Sequence, residues 1–166
     1  MFDQPSRILP IDESRLLTDF PYYTENLLRV KTKSQGIQPL RLNAAQLLLW
    51  HGQPSDYATN LRYRFAVIPE LGWKQRLARG LLIRDVILKY RQGGLSTVGL
   101  GLSFWGVHTH FGRNATIVAH DRETSEHLLQ MAKMFHEYLP TRYRPHVSTK
   151  NSRQLVFASP SRGEDN

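Results

Sequence analysis

The strongest hydrophobic pattern lies late in the chain. Leu128, Met131, Ala132, Phe135 and Leu139 fall at i, i+3, i+4, i+7 and i+11, one face of a helix with 3.6 residues per turn. The spacing predicts a helix from Thr124 to Leu139. Glu123 and Glu126 sit in its first turn, where the helix dipole favours negative charge, and Pro140 ends it. The apolar runs Ala115-Thr116-Ile117-Val118-Ala119 and Leu155-Val156-Phe157-Ala158 predict buried strands on either side. A long apolar segment from Thr97 to about Val107 predicts a further helix. Its Gly99, Gly101 and Gly106 each weaken it by ~1 kcal/mol relative to alanine but allow close approach to a sheet. Upstream, Val86-Ile87-Leu88 predicts a short strand that feeds into Arg91-Gln92-Gly93-Gly94-Leu95-Ser96-Thr97.

The first half carries a smaller unit. Leu27–Lys33 and Ile37–Leu42 flank the turn residues Ser34-Gln35-Gly36, which predicts a hairpin with Pro39 confining its strand to an edge. Asn43 then opens a helix through about His51, closed by Gly52-Gln53-Pro54-Ser55. Residues 1–20, with Pro5 and Pro10, read as an amino-terminal arm. Residues 56–80 carry no clear element. Strand, loop, helix, strand, helix, strand is an α/β order that implies a parallel sheet with right-handed crossovers. Such sheets bind ligands at the carboxyl ends of their strands, where the loop Gln92–Ser96 falls.

Composition narrows the class. At 166 residues, 40% hydrophobic and 22% charged, the chain is of single-domain size and is neither disordered nor fibrous in composition. No apolar run approaches the ~18–20 residues of a membrane span; even Val98–Val107 is broken by glycines, Ser103 and Trp105. The start lacks a basic segment followed by an apolar core, so no signal peptide is visible. The absence of cysteine excludes disulfide and thiolate chemistry and fits a cytoplasmic setting. Lysine and arginine number 22 against 14 acidic residues, and 22 − 14 gives +8, which suits a polyanionic partner.

The loop holds the candidate chemistry. A standard phosphate loop, Gly-x-x-x-x-Gly-Lys-[Ser/Thr], cradles phosphate oxygens with backbone N–H groups and binds magnesium through its hydroxyl. Laid over Lys89–Ser96, the second glycine is Gly94 and the hydroxyl is Ser96, with Thr97 next. Leu95 stands at the lysine position and Lys89 at the first glycine. Lys89 and Arg91 supply cations from the front of the loop. The alternative is a Gly-Gly turn followed by a Ser-Thr helix cap, with both cations solvated.

The string Ile87-Leu88-Lys89-Tyr90-Arg91-Gln92-Gly93-Gly94-Leu95-Ser96-Thr97 resembles the variant phosphate loop of tailed-phage terminase large subunits, the ATPase motors that package DNA. In that family an Arg-Gln pair precedes the loop glycine. Pro39-Leu40-Arg41-Leu42-Asn43-Ala44-Ala45-Gln46 is similar to the family's adenine-recognition segment, and Ala115–Asp121 to the strand after the phosphate loop. The resemblance runs from about Phe20 to Ser159.

It implies a partial P-loop NTPase-type parallel sheet with flanking helices in residues 21–166, preceded by the small hairpin and helix. ATP and Mg2+ would be bound through Gln46, Lys89, Arg91, Gln92, Gly93, Gly94, Leu95, Ser96 and Thr97, with Ser96 on the metal. The implied partners are double-stranded DNA, the small terminase subunit and the portal protein, in the host cytoplasm and away from membrane. Asn43-x-x-Gln46 also has capping-box spacing, a local role that alone accounts for both residues.

The family's adjacent carboxylates at the end of a later apolar strand have no counterpart after Thr97, where the acids are Asp121, Glu123, Glu126, Glu137, Glu164 and Asp165. The clustered acidic ligands of the family's nuclease domain are missing too. The expectation is therefore an amino-terminal terminase piece that holds nucleotide and hydrolyses it poorly. The competing expectation is a non-catalytic, basic nucleic-acid-binding module. Arg142, Arg144, Lys150 and Arg153, in the acid-free stretch Tyr138–Gly163, are candidates for DNA phosphate contacts, although a solvated face is the simpler account. His108-Thr109-His110 with His120 is a weak metal pattern. Trp50, Trp73 and Trp105 read as core or interface anchors.

Overall fold

A computed structural model describes residues 10–32, 35–52, 71–81, 83, 94–110 and 112–158. The chain is mixed α/β. Helices α1 (Glu13–Thr18) and α2 (Phe20–Leu27) precede a hairpin of β1 (Arg29–Thr32) and β2 (Gly36–Pro39). Helices α3 (Ala44–His51), α4 (Trp73–Ala78), α5 (Leu95–Thr109) and α6 (Arg122–Glu137) come next. A 3-10 turn over Thr141–Tyr143 leads to a second hairpin of β3 (Val147–Lys150) and β4 (Leu155–Phe157).

Much of the core is built from the amino-terminal half. Asp19 caps α2 through a bond from the Tyr22 N–H, and Pro21 stands in the first turn, where a missing N–H costs nothing. This start places Phe20, Tyr23, Leu27 and Leu28 inward, each 1% exposed or less. Phe20 lies 5.4 Å from Trp50 and 5.6 Å from Trp105 between ring centroids, and the two indoles meet edge-on at 6.0 Å. Such pairs add about 0.5–1.5 kcal/mol each beyond their buried area. The second half of the stretch read as an arm contributes here. Leu16 of α1 is buried, and its carbonyl accepts the Trp105 indole N–H at 2.7 Å. Trp50, Trp73 and Trp105 are all buried.

Several elements lie where the pattern puts them. The first hairpin pairs Arg29 with Pro39 and Thr32 with Gly36, antiparallel. Asn43 caps α3 and Gly52 closes it. Helix α5 begins at Leu95 and passes close to the ends of the first hairpin at Gly101, where an added Cβ would lie 3.5 Å from Leu28 and Leu40. Helix α6 starts two residues earlier than the periodicity indicates, because Asp121 caps it by accepting the Thr124 N–H at 2.6 Å. Its Ala132 and Phe135, with Leu139 just beyond, are buried.

The sheet is where the expectation needs correction. Among the described residues both sheets are antiparallel and two-stranded. The segment Ala115–Ala119, expected as a buried strand, joins no ladder, and its Val118 is 86% exposed. Its β-branched run has the composition of a buried strand, but composition supplies no partner. Leu155–Phe157 is a strand, yet it pairs antiparallel with β3. The turn Asn151–Gln154 is far too short for a parallel crossover, which takes a dozen residues or more. The expected strand Val86–Leu88 lies outside the described residues.

Candidate functional site

Two segments singled out in the sequence meet at the amino-terminal end of α5. Gly94 is its N-cap, left-handed at φ 68°. No side chain caps the helix, so Ser96 and Thr97 occupy its first turn and are not caps. Leu95 is buried and anchors that turn, Ser96 is exposed, and Thr97 is half-buried. The first intrahelical bond runs from the Val98 N–H to the Gly94 carbonyl at 3.1 Å.

Gln46 reaches the same carbonyl from α3. Its Nε2 donates to the Gly94 oxygen at 2.8 Å across 48 residues. Its Oε1 accepts the Asn43 N–H at 2.9 Å, and the Asn43 side chain accepts the Gln46 N–H at 3.0 Å. Gln46 thus completes the capping box of α3 and ties it to α5, at 4% exposure. Gly94 is needed there twice over. Its φ favours glycine, and a Cβ would stand 2.7 Å from Gln46 Nε2. The amino-terminal ends of two helices are held together at this point, and both carry the positive end of a helix dipole. Uncapped first-turn N–H groups beside an exposed hydroxyl suit a phosphate and its metal. Lys89, Arg91, Gln92 and Gly93 lie outside the described residues.

The basic side chains read as DNA contacts are mostly engaged within the molecule. Arg142 pairs with Glu13 at 2.5 Å. Arg144 donates to the Leu139 carbonyl at 2.7 Å, closing the end of α6. Lys150 pairs with Glu137. Arg153 is exposed on the β3–β4 turn, where its N–H bonds the Asn151 side chain.

The histidines are likewise spread among local partners. His108 accepts from the buried Tyr23 hydroxyl at 2.6 Å through Nδ1 and donates to the Tyr143 carbonyl at 2.8 Å through Nε2. Burial lowers its pKa, opposed by the Tyr143 bond and aided by nearby His136, which favours the neutral ring. The same burial pushes the Tyr23 hydroxyl far up. His110 bonds Thr109, and His120 pairs with Asp121. No three metal-ligating side chains gather among the described residues.

Lys133 has no signal in the sequence. Its helix position is polar by type, yet it is 6% exposed and donates to the Asn151 carbonyl at 2.5 Å, fastening the second hairpin to α6. No protein-family model, curated protein or solved structure matches this chain.

Proposed function

We propose that the chain is the nucleotide-binding portion of a terminase-like DNA-packaging ATPase, holding ATP and Mg2+ at the amino-terminal end of α5. The observation that carries this reading is the Gln46–Gly94 bond, which joins the segment similar to adenine recognition with the segment similar to the phosphate loop. In this proposal the first-turn amides of α5 take phosphate oxygens, Ser96 takes the metal, and Lys89 and Arg91 supply the cations. Gln46, bonded at both ends of its amide and 4% exposed, acts in this proposal by fixing the Gly94 carbonyl at the loop. The finer fold proposed with it is a P-loop-type parallel sheet that includes Val86–Leu88. Double-stranded DNA, a small terminase subunit and a portal are the partners that this reading assigns.

After Thr97 no apolar run in the sequence ends in adjacent carboxylates. The chain by itself therefore binds nucleotide and turns it over slowly, because phosphoryl transfer rests on charge placement around the metal and the attacking water. Titration with a fluorescent ATP analogue tests the proposal. Magnesium-dependent, saturable binding is expected, weakened at least tenfold by Arg91→Ala with Ser96→Ala. Equal binding by wild type and double variant refutes it and leaves the basic nucleic-acid module.

A further inference from the structure

A cleft of about 1410 Å3 opens between α5, α6, residues 112–117 and the second hairpin. Pockets for one small ligand run to roughly 300–1,000 Å3, so this space suits a length of polypeptide. It takes no residue from Gln46 or from Gly94–Thr97, so its occupancy is independent of nucleotide binding.

Two stretches of backbone that line it carry unpaired groups among the described residues. Residues 113–119 make no backbone hydrogen bond among the described residues. On the same cleft, β4 has β3 as its one ladder partner among the described residues, so its second edge is unpaired there. Rows of unpaired N–H and C=O groups are templates for an added strand. The lining also includes Phe104, Ile117, Leu129 and Phe157. The charge on the lining is lopsided: Arg113, Arg122 and Arg153 face one carboxylate, Glu126, which Arg122 already holds at 2.6 Å.

We propose that this cleft is a strand-addition site for an acidic polypeptide segment whose apolar residues alternate with aspartate or glutamate. Alternation by two sends one set of side chains toward Phe104 and Phe157 and the other toward Arg113 and Arg153. The unpaired backbone and the apolar lining favour a peptide over a nucleic-acid strand, whose bases and phosphates would use the arginines alone.

The test is fluorescence anisotropy of a labelled decapeptide alternating valine and glutamate, titrated into the full chain. Saturable binding is expected, weakened at least tenfold by Arg113→Glu with Arg153→Glu, and equally by N-methylation of alternate peptide amides. A valine–lysine decapeptide should fail to bind. Three results overturn the proposal: no saturable binding, undiminished binding of the N-methylated peptide, or displacement of the peptide by an oligothymidylate at lower concentration than by unlabelled peptide. Circular dichroism checks the fold of the charge-reversed variant, and Arg113→Gln with Arg153→Gln stands in if it is altered. Any of these failures leaves the ATP-analogue titration unaffected.

Discussion

Two glycines of α5 separate conformational need from convenience. Gly94 sits at φ 68° with Gln46 Nε2 in the space of a Cβ, so Gly94→Ala incurs the left-handed penalty of about 1–2 kcal/mol and also displaces the Gln46 amide. Gly101 has no such φ, and its nearest neighbours would stand 3.5 Å from an added methyl carbon. Gly101→Ala should stabilise by up to ~1 kcal/mol through helix propensity. Urea denaturation of the pair checks this, with midpoint shifts of opposite sign expected. His108 gives the molecule a pH slope. Its folded pKa lies below the unfolded value of about 6.5, so its contribution is complete above that value. It declines as pH falls through it and levels off below the folded pKa. Denaturant midpoints from pH 7.5 to 5 should fall, and His108→Gln should flatten the slope. The local half of the Gln46 site is legible in the sequence, because Asn43-x-x-Gln46 is a spacing rule. The bond to Gly94 is not, because nothing in a linear pattern reports which carbonyl lies 48 residues away.

At the scale of elements, legibility follows amphipathic contrast. Helix α6 has a sharp apolar face, and its periodicity places it to within two residues at each end, the offset being set by the Asp121 cap. Strand β3 escapes the pattern because Val147-Ser148-Thr149-Lys150 holds a single strongly apolar residue. Its partner β4 is visible by composition, but composition carries no strand direction. The second hairpin depends on α6 through Lys133 and the Asn151 carbonyl, and through Lys150 and Glu137. Lys133→Met retains the packed stem and removes the ammonium donor. The β3–β4 amides should then exchange hydrogen at least severalfold faster while those of α3 are unchanged, as read by mass spectrometry. Exchange unchanged in β3–β4 would mean that the Lys150–Glu137 pair and Phe157 packing hold the hairpin without the Lys133 bond.

Across the whole molecule, a closed aromatic core around Phe20, Trp50 and Trp105 contrasts with apolar side chains left exposed along the chain, Leu17 at 54% and Leu81 at 47% among them. Val118, at 86%, is the most exposed of them among the described residues, and it lies in the unpaired segment 113–119. Unpaired backbone beside exposed β-branched residues is a template for association. Val118→Lys should therefore raise the monomer fraction in sedimentation velocity at high protein concentration, without changing the unfolding free energy by more than ~0.5 kcal/mol. An unchanged distribution would place the adhesive surface elsewhere. The aromatic core also carries its own optical signal. Trp50 and Trp105, edge-on at 6.0 Å, are close enough for their excited states to mix, so the pair should give a two-signed circular-dichroism couplet. The Leu16 carbonyl holds one of these indoles in place, and the couplet would fade as soon as the first helix lifted away, well before the rest of the chain unfolded.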